Sequence, residues 1–118
     1  MIKQICPVLW TMNLKETLDF YTENLDFEIE ECNEDLGTAS LQRDGYKIML
    51  LKPTHNVIKP TFTGSLYLHT TEVDKLWEKL KEKVDICYPI GDFEWNMREF
   101  ALYDNNGYIL QFGEEITA

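Results

Sequence analysis

His55 and His69 are the chain's two histidines, and Cys6, Cys32 and Cys87 its three cysteines. These five side chains bound the nucleophilic, proton-transfer and metal chemistry open to it. The histidines are 14 residues apart, which excludes the HExxH spacing that sets two imidazoles on one helix face around zinc. Three cysteines with no CxxC step give neither a disulfide framework nor a thiolate zinc cluster, so buried, reduced thiols are expected. His69 can carry a proton near neutral pH, and a general base needs only position and pKa. The plainer reading is a packed strand histidine. Cys6 would need a lowered pKa to act as a nucleophile, and no neighbouring base or helix N-terminus is evident in the sequence. His55 falls in a Pro-bearing stretch and reads as solvated.

These residues must be positioned by short strands and two amphipathic helices. Residues 2–12 favour a strand and end at Asn13, a good helix N-cap, with Glu16 placed as in a capping box. Leu14, Leu18, Tyr21 and Leu25 then recur at helical spacing. Three short strand-like segments follow at 27–32, 38–42 and 46–51, the last two joined by an Asp44-Gly45 hairpin step. A Pro-bearing linker is expected at about 54–63. The pattern then repeats: a strand at 64–70, a helix opened by Thr71 or Glu72 with Val73, Leu76, Trp77, Leu80 and Val84 on one side, and a strand at 86–90. A polar loop through Trp95 and a hairpin of 98–103 with 108–112 complete it. A shift of 59 superposes the two helical stripes, and a shift of 62 superposes Asp44-Gly45-Tyr46 on Asn106-Gly107-Tyr108. The simplest account is one α+β domain, 1–118, of two βαβββ modules, at about 1–53 and about 64–118. A unit of about 59 residues is marginal alone, so two should share an interface or pair across a dimer.

The 118 residues carry 11 Lys and Arg against 21 Asp and Glu, a net charge of -10, with 44% apolar residues. The surplus acid is spread, with 6 basic and 10 acidic residues in 1–59 and 5 and 11 in 60–118. This balance argues against nucleic-acid binding and against attraction to an anionic membrane surface. No apolar run is long enough for a signal peptide or a membrane span, and a cytoplasmic location is expected.

Two segments resemble signatures of the glyoxalase, bleomycin resistance protein and extradiol dioxygenase superfamily, the vicinal oxygen chelate fold. Residues 13–27 are similar to its first helix, with Phe20-Tyr21 ahead of Leu25-Asp26-Phe27, where glycine is usual at Asp26. Residues 95–112 look like the closing hairpin of the bleomycin resistance branch. The resemblance implies curved mixed sheets enclosing a cleft, often completed by a homodimer. It also implies metal-ligand positions at Cys6, Met49, Ser65 and Gln111, none of them His or carboxylate, so no metal and no cofactor are expected.

Strand alternation sets Val8 and Trp10 with Cys6, Tyr67 and His69 with Ser65, Lys47 and Leu51 with Met49, and Ile109 with Gln111. The expected result is a cavity with apolar walls and sparse polar anchors, suited to a small molecule and, through aromatic faces and the acidic surface, to a planar or cationic one. Trp10 and Tyr67 have a plainer reading as packing between sheets, and Trp77 as core. Trp95 reads as a hydrophobic plug or a lid. Arg98 either pairs with Glu94 or Glu99 or anchors a ligand carboxylate.

The leading expectation is a metal-free homodimer binding a small aromatic or cationic organic molecule through Trp10, Met49, Tyr67, His69, Trp95, Arg98 and Gln111, with no assigned catalytic residue. One rival is an enzyme of the same superfamily acting through His69 or a non-standard metal site at Cys6 and Gln111. Another is a protein whose cleft is filled by its own side chains, leaving dimerisation or partner contact as its role.

Overall fold

The computed structural model describes residues 1, 3–53 and 64–117, so the expected linker and His55 lie outside the described residues. The chain divides into two compact units, Met1–Thr61 and Phe62–Ala118. The first holds β1 (Val8–Trp10), α1 (Leu14–Leu25), β2 (Glu28–Asn33), β3 (Thr38–Arg43) and β4 (Tyr46–Leu51), in sheet order β1-β4-β3-β2. The second holds β5 (Leu66–His69), α2 (Val73–Leu80), β6 (Asp85–Phe93), β7 (Met97–Tyr103) and β8 (Ile109–Glu115), in sheet order β5-β8-β7-β6. In each, the first strand runs parallel to the last and the other pairs are antiparallel. The register repeats too. Val8 stands opposite Met49 and Tyr67 opposite Gln111, the positions that the shifts of 59 and 62 equate.

Helix α1 starts as its sequence dictates: Asn13 is extended and its side chain accepts the Glu16 N–H at 3.0 Å. The backbone N–H of Asn13 goes to Thr11 Oγ1 at 3.1 Å, the part a capping box gives to its glutamate. Asp26 closes the helix at φ 56°, a left-handed conformation that glycine adopts at least cost and aspartate tolerates. Leu18, Tyr21 and Leu25 on α1 and Leu9, Ala39, Leu41, Ile48 and Leu50 on the sheet are all buried, forming the first unit's core. The alternate sheet positions Val8, Trp10 and Met49 are exposed. At the β3–β4 turn Asp44 and Gly45 both have positive φ, the geometry expected of the Asp-Gly step.

Helix α2 is capped from a distance. Glu72 is left-handed and offers no side-chain cap; instead the Glu114 carboxylate on β8 accepts the N–H groups of Glu72 at 3.2 Å and Val73 at 3.1 Å. Val73 and Leu80 are buried with Phe100, Leu102, Leu110 and Phe112. Trp77 meets Phe100 edge-on at 5.2 Å, and Phe100 stacks on Phe112 at 5.5 Å. Val84 lies beyond the helix end.

Two expectations are corrected. The stretch expected as a loop from Gly91 is strand: β6 runs through Phe93, and the turn is confined to 94–96. Pro89 and Gly91 look like breakers, but β6 is an edge strand whose register slips between Ile86 and Gly91, and edges and bulges accommodate both residues. The cysteines are free thiols, yet none is fully buried: Cys32 is exposed and Cys6 and Cys87 are half-buried. No helix among the described residues is long and apolar enough to cross a membrane.

Candidate functional site

Strand parity and register gather one set of side chains on the face of the second sheet opposite α2. Tyr67 is opposite Gln111 and His69 opposite Gly113; across β8, Gln111 is opposite Ala101 and Gly113 opposite Glu99; Ala101 is in turn opposite Tyr88. Residues two apart on a strand share a face, so Tyr67, His69, Tyr88, Glu99 and Gln111 all project on this side. Arg98 and Phe100 project on the other.

Glu99 is the centre of the cluster and is fully buried. A buried carboxylate is costly unless its lone pairs are satisfied. Here three neutral donors do so: Tyr67 Oη and Trp95 Nε1 each donate to Oε1 at 2.7 Å, and Tyr88 Oη donates to Oε2. Burial works against ionisation of Glu99, but the bonds from Tyr88, Trp95 and Tyr67 outweigh it and hold the carboxyl below its ordinary range. No Lys, Arg or His forms an ion pair with Glu99 among the described residues. The phenols respond in the opposite sense. Burial and the bond to Glu99 raise Tyr67, and push Tyr88 up to about 12. The hydrogen bonds thus favour a charged carboxyl and neutral phenols.

The network continues outward. Gln111 Nε2 donates to Tyr88 Oη at 2.9 Å, and Ser65 Oγ donates to Gln111 Oε1. His69 lies against Tyr67 with ring centroids 5.1 Å apart. Trp95 stacks on Phe93 at 4.8 Å, and Phe93 meets Tyr88 edge-on at 5.6 Å. The β6–β7 turn aims the indole: Asn96 takes φ 65° and its N–H reaches Phe93 O at 3.0 Å. Asn96 Nδ2 and O also engage Ile116 O and N, both at 3.1 Å, tying the turn to the end of β8. Trp95 remains 55% exposed while its N–H points inward, so its ring presents a face to solvent. Gly113 makes room for Tyr67: a Cβ there would overlap Tyr67 Oη and stand 2.7 Å from Cζ.

The structure brings together Tyr67, His69, Trp95 and Gln111. Trp10 and Met49 are exposed on the first unit's sheet. Arg98 belongs to neither group: its guanidinium reaches Asp74 of α2 at 2.9–3.2 Å and Asp92 of β6 at 3.0 Å, rather than Glu94 or Glu99. Both carboxylates raise its pKa, and its position on the α2 side makes it a strut between helix and sheet. Sequence reasoning missed Glu99, Tyr88 and Phe93. Carrying the face of Gln111 across the hairpin to Ala101 and then Glu99 was the available signal.

The four positions implied for a metal do not suit one. In the second unit Ser65 and Gln111 offer a hydroxyl and an amide already bonded to each other. Cys6 and Met49 offer sulfur, and no group of three His, Cys, Asp or Glu is assembled among the described residues. A catalytic divalent site needs about three hard or borderline donors with an open position, which this donor set does not supply.

The sequence profile of the Glyoxalase/Bleomycin resistance protein/Dioxygenase superfamily matches residues 2–112. Among solved structures, the chain is similar to a member of that superfamily from Sphaerobacter thermophilus, with a TM-score of 0.83, 22% identity and 98% of each chain covered. It is similar to TioX from Micromonospora sp. ML1, with a TM-score of 0.77, 16% identity, and 98% of this chain and 100% of that one covered. A glyoxalase/bleomycin resistance protein/dioxygenase from Nocardioides gives a TM-score of 0.78 at 17% identity over 100% of this chain and 88% of the other. No curated protein sequence matches. At these identities the likeness establishes the fold.

Proposed function

The chain belongs to the glyoxalase/bleomycin resistance protein/dioxygenase superfamily, and on that premise we propose that it is a metal-free binder of a small aromatic or cationic organic molecule, working in the cytoplasm as a homodimer. The observation that carries this reading is the exposed aromatic surface of Tyr67 and Trp95, both bonded to the buried carboxylate of Glu99, with the exposed His69 ring against Tyr67. Rings so fixed lose little conformational freedom when a planar group stacks on them. Sequestration of a drug, as in bleomycin resistance, is one form this activity takes.

Catalysis through His69 has less support. Its ring neighbour is Tyr67, whose hydroxyl hydrogen is committed to Glu99. The test combines elemental analysis of the purified protein, sedimentation analysis and a screen of small aromatic compounds by tryptophan fluorescence. Expected are a dimer, no stoichiometric divalent metal, and saturable quenching that Trp95→Phe diminishes. Stoichiometric metal lost only to chelators, or no saturable ligand, refutes the reading.

A further inference from the structure

The direction of every hydrogen bond running outward from Glu99 is fixed by its charge. An ionised carboxylate only accepts, and a phenol has one hydrogen. Tyr88 gives its hydrogen to Glu99 Oε2. What faces Tyr88 Oη from Gln111 must then be the amide NH2, which stands 2.9 Å away. That choice turns Gln111 Oε1 toward Ser65, whose hydroxyl hydrogen must point at it. The chain Ser65 to Gln111 to Tyr88 to Glu99 is therefore polarised along its whole length, and charge at one end strengthens such chains. Tyr67 and Trp95 likewise direct their hydrogens inward to Glu99.

At the exposed end the consequence is specific. Ser65 is exposed and stands two residues before Tyr67, and the next ring along that face is His69. A serine hydroxyl has one hydrogen and two lone pairs. With its hydrogen committed to Gln111, Ser65 Oγ presents lone pairs only. A ligand group placed against it gains from donating a hydrogen and is penalised for accepting one. The negative charge behind it adds a preference for positive charge, and the aromatic faces beside it favour a cation over a bare anion.

We propose that Ser65 Oγ, backed by the polarised chain from Glu99 and neighboured on its strand by Tyr67, is a subsite for a protonated amine or amidine carrying N–H donors, borne on an aromatic or apolar body. This rests on the binding function proposed above and narrows its ligand class: a quaternary ammonium, which is cationic but has no N–H, is excluded from full affinity.

The test titrates four probes of one aromatic body, benzylammonium, benzyltrimethylammonium, benzyl alcohol and benzoate, into the full chain while following the Trp95 indole N–H resonance, assigned with Trp95→Phe. Benzylammonium is expected to bind at least tenfold more tightly than benzyltrimethylammonium or benzoate. Ser65→Ala, at an exposed position, should bring the ratio of the two cations to within about twofold. Glu99→Gln should reduce the preference for either cation over benzyl alcohol. If Glu99→Gln does not fold, Tyr88→Phe, which breaks the chain but keeps the ring, should act as Ser65→Ala does. Equal affinities for the two cations, or a ratio unmoved by Ser65→Ala, overturn the subsite while leaving a binding protein. Failure of all four probes to bind overturns the binding reading itself.

Discussion

Gly113→Ala probes whether Tyr67 is held against Glu99 by the shape of the sheet. Gly113 is not in the left-handed region, so alanine meets no backbone strain there. Replacing glycine in an unstrained strand ordinarily stabilises by about 0.5–1 kcal/mol. The added Cβ, however, would overlap Tyr67 Oη and lie 2.7 Å from Cζ and 3.0 Å from Cε1. Because the obstruction is a ring fixed by its bond to a buried carboxylate, it cannot swing away cheaply. Overpacking of this kind costs about 1–3 kcal/mol. If the ring yields, Glu99 loses one of three donors, and a hydrogen bond to a charged group is worth about 1.5–3 kcal/mol. The net expectation is a loss of about 2–5 kcal/mol, measured by urea unfolding followed by far-ultraviolet circular dichroism. The same substitution in a Tyr67→Ala background should be neutral or slightly stabilising, giving a coupling of about 2 kcal/mol or more. A loss below about 0.5 kcal/mol, or an equal loss in both backgrounds, would refute the packing argument.

Two further outcomes follow from the same contacts. The Glu99 carboxyl is held below its ordinary pKa; a depressed folded-state pKa contributes stability above the unfolded pKa, near 4.3 for Glu, that is lost as pH falls through the folded value. Urea midpoints should therefore decline on acidification below about pH 5, and Glu99→Gln should flatten that decline; an unchanged pH profile contradicts an ionised Glu99. Glu114→Ala removes the carboxylate that accepts the first N–H groups of α2 and should cost about 0.5–2 kcal/mol by the same unfolding assay, with Glu114→Gln recovering part of it through its remaining acceptor oxygen.

Local signals made much of the fold legible in the sequence. Asn13 caps α1, Asp44-Gly45 makes its hairpin, and the two shifts identify pairs that share one register. What escaped was non-local. The cap of α2 comes from Glu114, 41 residues beyond Val73, and no N-terminal signature encodes it. The expected strand at 86–90 stops short of β6, which runs on through Gly91 to Phe93 because edge position and bulging accommodate the glycine. Of the candidate site, alternation and resemblance single out Tyr67, His69, Trp95 and Gln111, which the fold brings together, while Trp10, Met49 and Arg98 lie elsewhere. Glu99 reads in the sequence only as a possible ion-pair partner of Arg98, because adjacent charges on a strand point to opposite faces and sequence alone does not say which one is inside.

The register also explains why the internal repeat is faint where the site is. Position 8 of the first unit answers to 67 of the second, 49 to 111, and 51 to 113. In the first unit these are Val8, Met49 and Leu51; in the second they are Tyr67, Gln111 and Gly113. A small residue beside a large one has become a large residue beside none. Tyr67 needs the volume that a side chain at 113 would occupy, so the two changes depend on each other. The position opposite Leu51 is Thr38, whereas the one opposite Gly113 is Glu99. A carboxylate could be buried at that place only once donors surrounded it, and Tyr67 is one of the three. Thus one backbone plan carries an apolar face in the first unit, with Val8, Trp10 and Met49 exposed, and an anion-centred aromatic face in the second. Reverting the second unit to the first unit's residues at 67, 111 and 113 together should therefore leave Glu99 a misfit rather than restore symmetry. Among single changes in that triple variant, Glu99→Thr is the one expected to recover stability.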